Sequence, residues 1–298
     1  MVVESIPTTY QLYRVCKRGV TGYFFCFRLR PAIRKTFFNM KTIILSGGRG
    51  YRLKEETEFK PKPMVTIGDK PMLWHIMKIY AHYGFRDFIM ALGYKGDDIK
   101  DYFLNQRFFQ YDFTLWTKSR RTQMYHPSGI RNKLDDFRIT FVDTGLESLT
   151  GERVRRLRDY LNREPFMVTY GDGVSDVNIA EILRFHKKKK AIGTITGVHP
   201  HSRWGLVRKN KDNMVTMFRQ KPVLTEYVNG GFMVLEPEFF DYLKPNEMIE
   251  TGLERIADKK KLAIYMHGGF WHAMDTYQDV ETLTALWNRG APWKVWKD

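Results

Sequence analysis

The amino-acid sequence predicts an α/β fold, a mostly parallel mixed sheet covered by helices on both faces. Three observations carry this expectation. From Met40 onward, short apolar runs alternate with stretches of helical period, which is the pattern of repeated βαβ units. A glycine-rich turn follows the first apolar run directly. The composition, 43% hydrophobic and 28% charged with only 12 prolines in 298 residues, is that of a globular chain with a sizeable core.

Taken in order, residues 42–45 read as a buried strand, 72–83 as a helix and 87–92 as a second strand, which makes one βαβ unit. Residues 97–103 read as a helix, 138–142 as a strand, 150–161 as a helix that Thr150 would cap, and 166–169 as a strand. Between them, 105–133 is aromatic and basic without a clean period and is read as an irregular insertion or small subdomain. Further strands are expected at 192–198, 206–208, 214–218, 231–235 and 262–266, with helices near 178–186, 249–257 and 277–288. The four lysines 187–190 close the first of these helices, where cations complement the helix dipole; a solvated helix end is the simplest reading.

The net charge of +16 is unevenly placed. Residues 1–39 hold seven bases (Arg14, Lys17, Arg18, Arg28, Arg30, Arg34, Lys35) against Glu4. That stretch is aromatic and without clear period, so it is read as an N-terminal extension, with 40–298 as the functional domain. Its apolar segment 20–27 is interrupted by Gly22, cut off by Arg28 and followed by no small-x-small site, so a secretory signal is not expected. No apolar run reaches the length of a spanning helix. Two cysteines, Cys16 and Cys26, offer no disulfide framework, and a cytoplasmic setting is expected. A basic balance of this size suits nucleic acid, an anionic surface or small phosphorylated substrates, and only the placement of chemistry-bearing residues decides among them. The scattered Trp and Tyr residues do not form a base-stacking platform, so nucleic acid is not the expected partner.

Leu45, Ser46, Gly47, Gly48, Arg49, Gly50, Tyr51, Arg52 and Leu53 follow the first strand. Such a loop lets the backbone approach an anion and aim successive N–H groups at it, although an ordinary tight turn has the same composition. It is neither a Walker loop, which needs Gly-Lys-Ser/Thr, nor a dinucleotide fingerprint, because Leu53 stands where the third glycine belongs. Lys62, between Pro61 and Pro63, has a stiffened backbone that can hold its ammonium where phosphate charge gathers. Asp172 and Asp275 stand at strand ends, where open α/β sheets bind ligands, and two hard oxygen donors there would suit Mg²⁺. Their separation in sequence leaves the pairing open. Lys221, in Gln220-Lys221-Pro222, repeats the Lys-Pro device and could hold a second phosphate; Asn229-Gly230-Gly231 is a turn or a sugar-facing loop. His199, His201, His267 and His272 have no zinc spacing, and no Ser-His-Asp or Cys-His set suggests covalent catalysis.

The ordered set Gly47–Leu53, Lys60-Pro61-Lys62-Pro63-Met64, Trp74-His75-Ile76-Met77-Lys78, Gly93-Tyr94-Lys95-Gly96, Asp143-Thr144-Gly145, Tyr170-Gly171-Asp172-Gly173, Asn229-Gly230-Gly231-Phe232, Met274-Asp275-Thr276 and Ala291-Pro292-Trp293-Lys294 resembles the glucose-1-phosphate cytidylyltransferase family of sugar-phosphate nucleotidyltransferases. The resemblance runs from Met40 to about Lys297. It implies a Rossmann-like nucleotidyltransferase fold and the reaction of CTP with glucose 1-phosphate to give CDP-glucose and pyrophosphate. It also implies Mg²⁺, a homo-oligomer, and a place in making deoxysugars for surface polysaccharide such as O-antigen. By the same resemblance, the loop Leu45 to Tyr51 binds the nucleotide with Ser148, Arg153 and Gly171, while Arg52 and Lys62 are catalytic. Asp172 and Asp275 bind the metal, and Gln220, Lys221, Asn229 and Gly230 face the sugar phosphate.

Three positions depart from the family pattern. Tyr51 replaces a threonine, Ser46 replaces a small apolar residue, and Gln220 replaces a glutamate that meets sugar hydroxyls. An amide at 220 both donates and accepts but carries no charge, so the acceptor is open to being another phosphate. Another nucleotide, UTP or dTTP, a non-catalytic nucleotide-sugar sensor, and a nucleic-acid or anionic-membrane binder acting through residues 1–39 are the competing readings.

Overall fold

The computed structural model describes residues 40–125 and 135–297. The expected N-terminal extension and residues 126–133 of the expected insertion lie outside the described residues. Seven strands build the central sheet: Lys41–Leu45 (β1), Asp87–Leu92 (β2), Arg138–Asp143 (β3), Phe166–Tyr170 (β4), Gly193–Val198 (β5), Val228–Leu235 (β6) and Leu262–Met266 (β7). They lie in the order β7-β5-β6-β4-β1-β2-β3. Every neighbouring pair is parallel except those of β6, which runs antiparallel to both β4 and β5. The mostly parallel mixed sheet expected from the sequence is therefore present.

Six helices cover it: Met72–His82 (α1), Gly96–Gln110 (α2), Thr150–Arg156 (α3), Ile179–Lys189 (α4), Ile249–Asp258 (α5) and Tyr277–Asn288 (α6). Because successive strand residues point to opposite faces, β1 serves two cores. Ile44, with Met90 of β2 and Met167 of β4, packs against α1, α2, α4 and α6, whereas Ile43, with Ile89 and Val168, packs against α3 and α5. Burying each of these side chains contributes roughly 2 kcal/mol. Asn178 caps α4 by accepting from the Glu181 amide at 3.1 Å, and Thr276 with Asp279 forms a reciprocal capping box on α6.

Four sequence expectations are corrected. The helix expected over 97–103 runs on to Gln110, and the stretch from 105, read as an irregular insertion or a small subdomain, continues as an ordered hairpin of Asp112–Trp116 with Arg121–Tyr125. Neither strand has a fully buried face: Asp112–Trp116 is almost wholly exposed, and Arg121–Tyr125 alternates only between exposed and half-buried, so the marked alternation of a strand packed on a core is missing. Thr150 does not cap α3. Leu149 occupies that position without a side-chain bond, while the Thr150 hydroxyl accepts from the Ile249 amide at 3.0 Å. The helix expected over 150–161 ends at Arg156 and gives way to a 3₁₀ turn, Arg158–Leu161. Asn229 and Gly230 belong to β6 rather than to a turn or loop. The register shift between β5 and β6 makes a bulge there, and Gly231 at φ +82° supplies the backbone it needs, because a Cβ would sit 2.6 Å from the Tyr170 ring.

Candidate active site

β1 ends at Leu45 and the chain turns through Ser46 to Gly50 at the carboxyl edge of the sheet, where β4 also ends. A cavity of about 330 Å³ opens there. Leu45, Ser46, Gly47, Gly48, Gly50, Arg52, Lys62, Ser148, Arg153, Gly171 and Asp172 line it, together with Tyr170, Thr150 and Met248. Most residues singled out in the sequence thus converge on one space, at the sheet edge where open α/β sheets hold ligands. Arg49 and Tyr51 turn instead to a neighbouring cavity shared with Thr57, Glu58 and Tyr94. Arg49 is paired there with Glu147 at 2.6 Å, and Tyr51 is exposed.

Lys62 begins a 3₁₀ turn, with Pro61 extended before it and Pro63 buried behind it. The prolines fix the backbone, and the ammonium reaches two carboxylates at once: Asp172 Oδ2 at 2.6 Å and Asp275 Oδ1 at 2.9 Å. These aspartates are 103 residues apart, and a small antiparallel pair unites them. Gly173–Ser175 aligns with Trp271–Ala273, and the Met274 amide donates to the Asp172 carbonyl at 2.8 Å. Two carboxylates whose spacing in sequence left their proximity open thus meet on one ammonium. Asp275 also accepts from Arg52 at 3.1 Å and from Arg203 at 2.5 Å.

Burial alone would pull the Lys62 ammonium below lysine's ordinary value. The facing carboxylates of Asp172 and Asp275 outweigh it, and the pKa is raised. Burial would likewise push the Asp275 carboxyl up, yet Lys62, Arg52 and Arg203 outweigh that cost and hold it below the usual carboxylate range. Asp275 is further fixed from behind. Asp279 Oδ2 accepts from the Asp275 amide at 3.0 Å and the Thr276 amide at 2.8 Å, while Asp279 Oδ1 pairs with His272 at 3.0 Å. Burial opposes ionisation of Asp279, but the bonds from His272 and Thr276 carry its pKa well down.

Arg153 is buried and acts as a clamp. Its Nη1 donates to the carbonyls of Leu92 (3.0 Å) and Gly145 (2.8 Å) and to the Thr144 hydroxyl (2.8 Å). Its Nη2 donates to the carbonyls of Gly47 (3.0 Å) and Leu146 (3.2 Å). The glycine loop is tied to the end of β2 in this way, and Gly47 must be glycine because a Cβ would lie 2.2 Å from the guanidinium. Ser148 donates to the Thr144 carbonyl at 2.5 Å on the same rim.

Gln220, Lys221, Asn229 and Gly230 are not among the cavity-lining residues. Lys221 is exposed and in the left-handed region, φ 46°. The segment carrying it is nonetheless fastened to the one that carries Arg203: Ser202 N donates to Pro222 O at 2.8 Å, and His201 bridges to Val223. The Gly230 carbonyl accepts from Trp271 Nε1 at 2.8 Å. Sequence reasoning missed Arg203, and it missed Glu250, which accepts a short bond from the Tyr170 hydroxyl at the cavity wall. An isolated arginine before Trp204 and a glutamate on an amphipathic helix carry no spacing signal. Only the fold discloses them.

Among the described residues no group of three or more His, Cys, Asp or Glu side chains converges on one metal position. The hard oxygen donors that do come together are Asp172 and Asp275, both facing the Lys62 ammonium. That set fits a hard divalent ion whose remaining ligands come from phosphate and water, and does not fit a soft or tetrahedral metal. Among the described residues, no helix is long and apolar enough to cross a membrane.

A family model described as nucleotidyl transferase matches residues 41–291. The glucose-1-phosphate cytidylyltransferase of Salmonella typhimurium is 41% identical over 263 residues, 87% of this chain and the whole of that one. Among solved structures, HddC from Yersinia pseudotuberculosis aligns with TM-score 0.60 at 20% identity, covering 83% of this chain and 99% of that one. A UDP-glucose pyrophosphorylase complexed with UDP-glucose aligns with TM-score 0.61 at 18% identity, covering 84% and 98%. The two structural likenesses establish the fold.

Proposed function

The chain belongs to the nucleotidyl transferase family, and from that premise we propose that it transfers the cytidylyl group of CTP to a sugar 1-phosphate, glucose 1-phosphate first, and releases pyrophosphate. The observation that carries this reading is Lys62 held between Asp172 and Asp275 at the cavity behind the glycine loop. The cytidylyltransferase relative, matched over its whole length, supports the choice of CTP and acceptor.

The chemistry needs no protein nucleophile. An oxygen of the acceptor phosphate attacks the α-phosphorus of CTP, and the bond from that phosphorus to the oxygen bridging to the β-phosphate breaks. The electron pair leaves with pyrophosphate. The protein has to align these groups and offset charge on the leaving group. In this reading the backbone from Leu45 through Gly50 and Tyr51 cradles the triphosphate, with Ser148, Arg153 and Gly171 shaping the nucleotide's berth. Lys62 and Arg52, already aimed at the carboxylates, supply positive charge to the departing phosphates. Asp172 and Asp275 hold Mg²⁺, which when bound screens the charge of the triphosphate. The acceptor lies toward Arg203 and the Gln220–Pro222 segment, where Lys221 takes its phosphate and Gln220, Asn229 and Gly230 take its hydroxyls. We assign the catalytic domain to residues 40–298, acting as a homo-oligomer in the cytoplasm and feeding deoxysugar synthesis for surface polysaccharide.

The test is pyrophosphate release with Mg²⁺ and each of CTP, UTP, dTTP and ATP, against a panel of sugar 1-phosphates and non-sugar phosphates. Release with CTP and glucose 1-phosphate is expected. Release with CTP and only another acceptor would keep the mechanism and move the substrate, implicating Gln220. CTP binding without release for any pair would defeat the catalytic reading in favour of a sensor.

A further inference from the structure

Two lysine runs far apart in sequence, 187–190 and 259–261, meet on one surface. The first closes α4 and the second follows α5, and both chains then enter neighbouring parallel strands. Gly193 of β5 aligns with Leu262 of β7, and the Ile192 amide donates to the Lys261 carbonyl at 2.9 Å. All seven lysines are exposed. Taken separately each run is a solvated helix end; taken together they make a polybasic patch.

Three features set this patch apart from scattered surface charge. The side chains of Lys188, Lys190, Lys260 and Lys261 make no ion pair or hydrogen bond among the described residues, while Lys189 lies over the Phe185 ring and Lys259 over the Tyr242 ring. The acids beside it are outnumbered: Asp258 opens the second run and shares a cavity with Asp241 and Lys259, and Glu236 is already paired with His186 at 3.0 Å. Lys190 and Lys260 both stand in the left-handed region, φ 51° and 57°, at helix ends where glycine would fit without steric cost. The patch lies at the amino ends of β5 and β7, whereas the catalytic cavity lies at the carboxyl ends of β1 and β4. A surface engaged there leaves the cavity open.

The geometry points to this patch as a docking site for an anionic lipid bilayer. Lysines are compact charges on flexible stems and suit a smooth, fluid anionic surface that asks for no directional contact. Among the described residues the patch offers no free arginine fork, since Arg255 beside Lys259 is held by Glu247, and no exposed aromatic platform of the kind nucleic acids engage; lysine is depleted from protein–protein interface cores.

Co-sedimentation of the full chain with mixed phosphatidylserine and phosphatidylcholine vesicles tests this, against phosphatidylcholine alone, duplex DNA and raised salt. Retention on the anionic vesicles only, screened by salt, is expected. The variant K188Q/K190Q/K260Q/K261Q should reduce that partition at least about tenfold with an unchanged melting temperature, since all four side chains are exposed. A second variant, R28Q/R30Q/R34Q/K35Q, should leave it largely intact. Absence of vesicle binding, equal retention on neutral vesicles, tighter binding to DNA, or loss of binding only in the second variant would each overturn the inference. None of these readings depends on turnover, so they stand apart from the proposed reaction.

Discussion

Lys62 and His75 are both basic side chains taken out of water, and they have opposite fates. His75 is fully buried in a cage of Trp74, Trp287, Trp293 and Trp296, on the α1 and α6 side of the sheet. Burial dominates there and pushes its pKa down to about 4. Its bonds agree with a neutral ring, since Nε2–H donates to the Ile67 carbonyl at 3.0 Å and Nδ1 faces the Trp293 indole N–H at 3.4 Å. At Lys62 burial is again the largest influence, but two carboxylates reverse the outcome and the ammonium stays charged. Desolvation is common to both; only the partners differ. One site becomes a structural clasp joining two distant stretches of chain, and the other becomes a charged centre at the wall of an open cavity.

The largest effect should come from removing the cation at the charged centre. Lys62→Ala is expected to lower kcat for pyrophosphate release by about a thousandfold while the protein remains folded, as judged by circular dichroism. A loss below tenfold would make Lys62 merely structural. Asp275→Asn is expected to cost about a hundredfold or more in kcat/KM and to raise the Mg²⁺ concentration needed for half-maximal rate. It should also lower the melting temperature, because Lys62, Arg52 and Arg203 lose a shared partner. Arg153→Ala comes next, with about 3 kcal/mol lost in denaturant unfolding, as several buried carbonyls lose a charged donor together. A weaker apparent affinity for CTP should accompany it, since the Gly47 carbonyl is then untethered.

The clasp makes a pH-dependent counterpart. Folded His75 titrates near 4 and an unfolded histidine near 6.5, so the unfolded chain binds the extra proton between those values. Stability should therefore fall as pH drops through this window, by roughly 3 kcal/mol in all. The Lys62 pKa is raised and the Asp275 pKa lowered, each shift favouring the charged form, so that pair stays charged across neutrality and adds no slope there. Urea midpoints at several pH values, with and without His75→Gln, check this; an equal slope in the variant would dissociate the dependence from the clasp. The smallest effect is expected at Lys221, exposed and outside the cavity wall. Lys221→Gln should raise KM for the acceptor several-fold and leave CTP affinity unchanged.

Both regions were visible in the sequence, but unequally. The βαβ alternation, the glycine loop and Lys62 between its prolines could be read directly, because each is local in chain and in chemistry. Asp172 and Asp275 could be nominated but not joined, since the short strand pair that unites them, Gly173–Ser175 with Trp271–Ala273, is too brief to leave a period. Arg203 was invisible because its role depends on a long-range contact with Asp275, and the exposed hairpin at 112–125 because neither of its faces is buried. Trp74-His75 and Trp293 stood out as motif residues, yet nothing in their spacing said that they pack on one another. The run 187–190 reads on its own as a solvated helix end, and the run 259–261 carries no signal of its own; their adjacency is a property of the β5 and β7 register.

The central claim is that Lys62, Asp172 and Asp275 form one phosphate-handling centre for cytidylyl transfer. Phosphorus NMR of CTP with glucose 1-phosphate and Mg²⁺, run on the wild-type protein, Lys62→Ala, Asp172→Asn and Asp275→Asn, tests it most directly. Conversion to CDP-glucose and pyrophosphate by the wild-type protein, with all three variants slowed at least a hundredfold, is the expected result. Undiminished conversion by any one of the three would contradict the account.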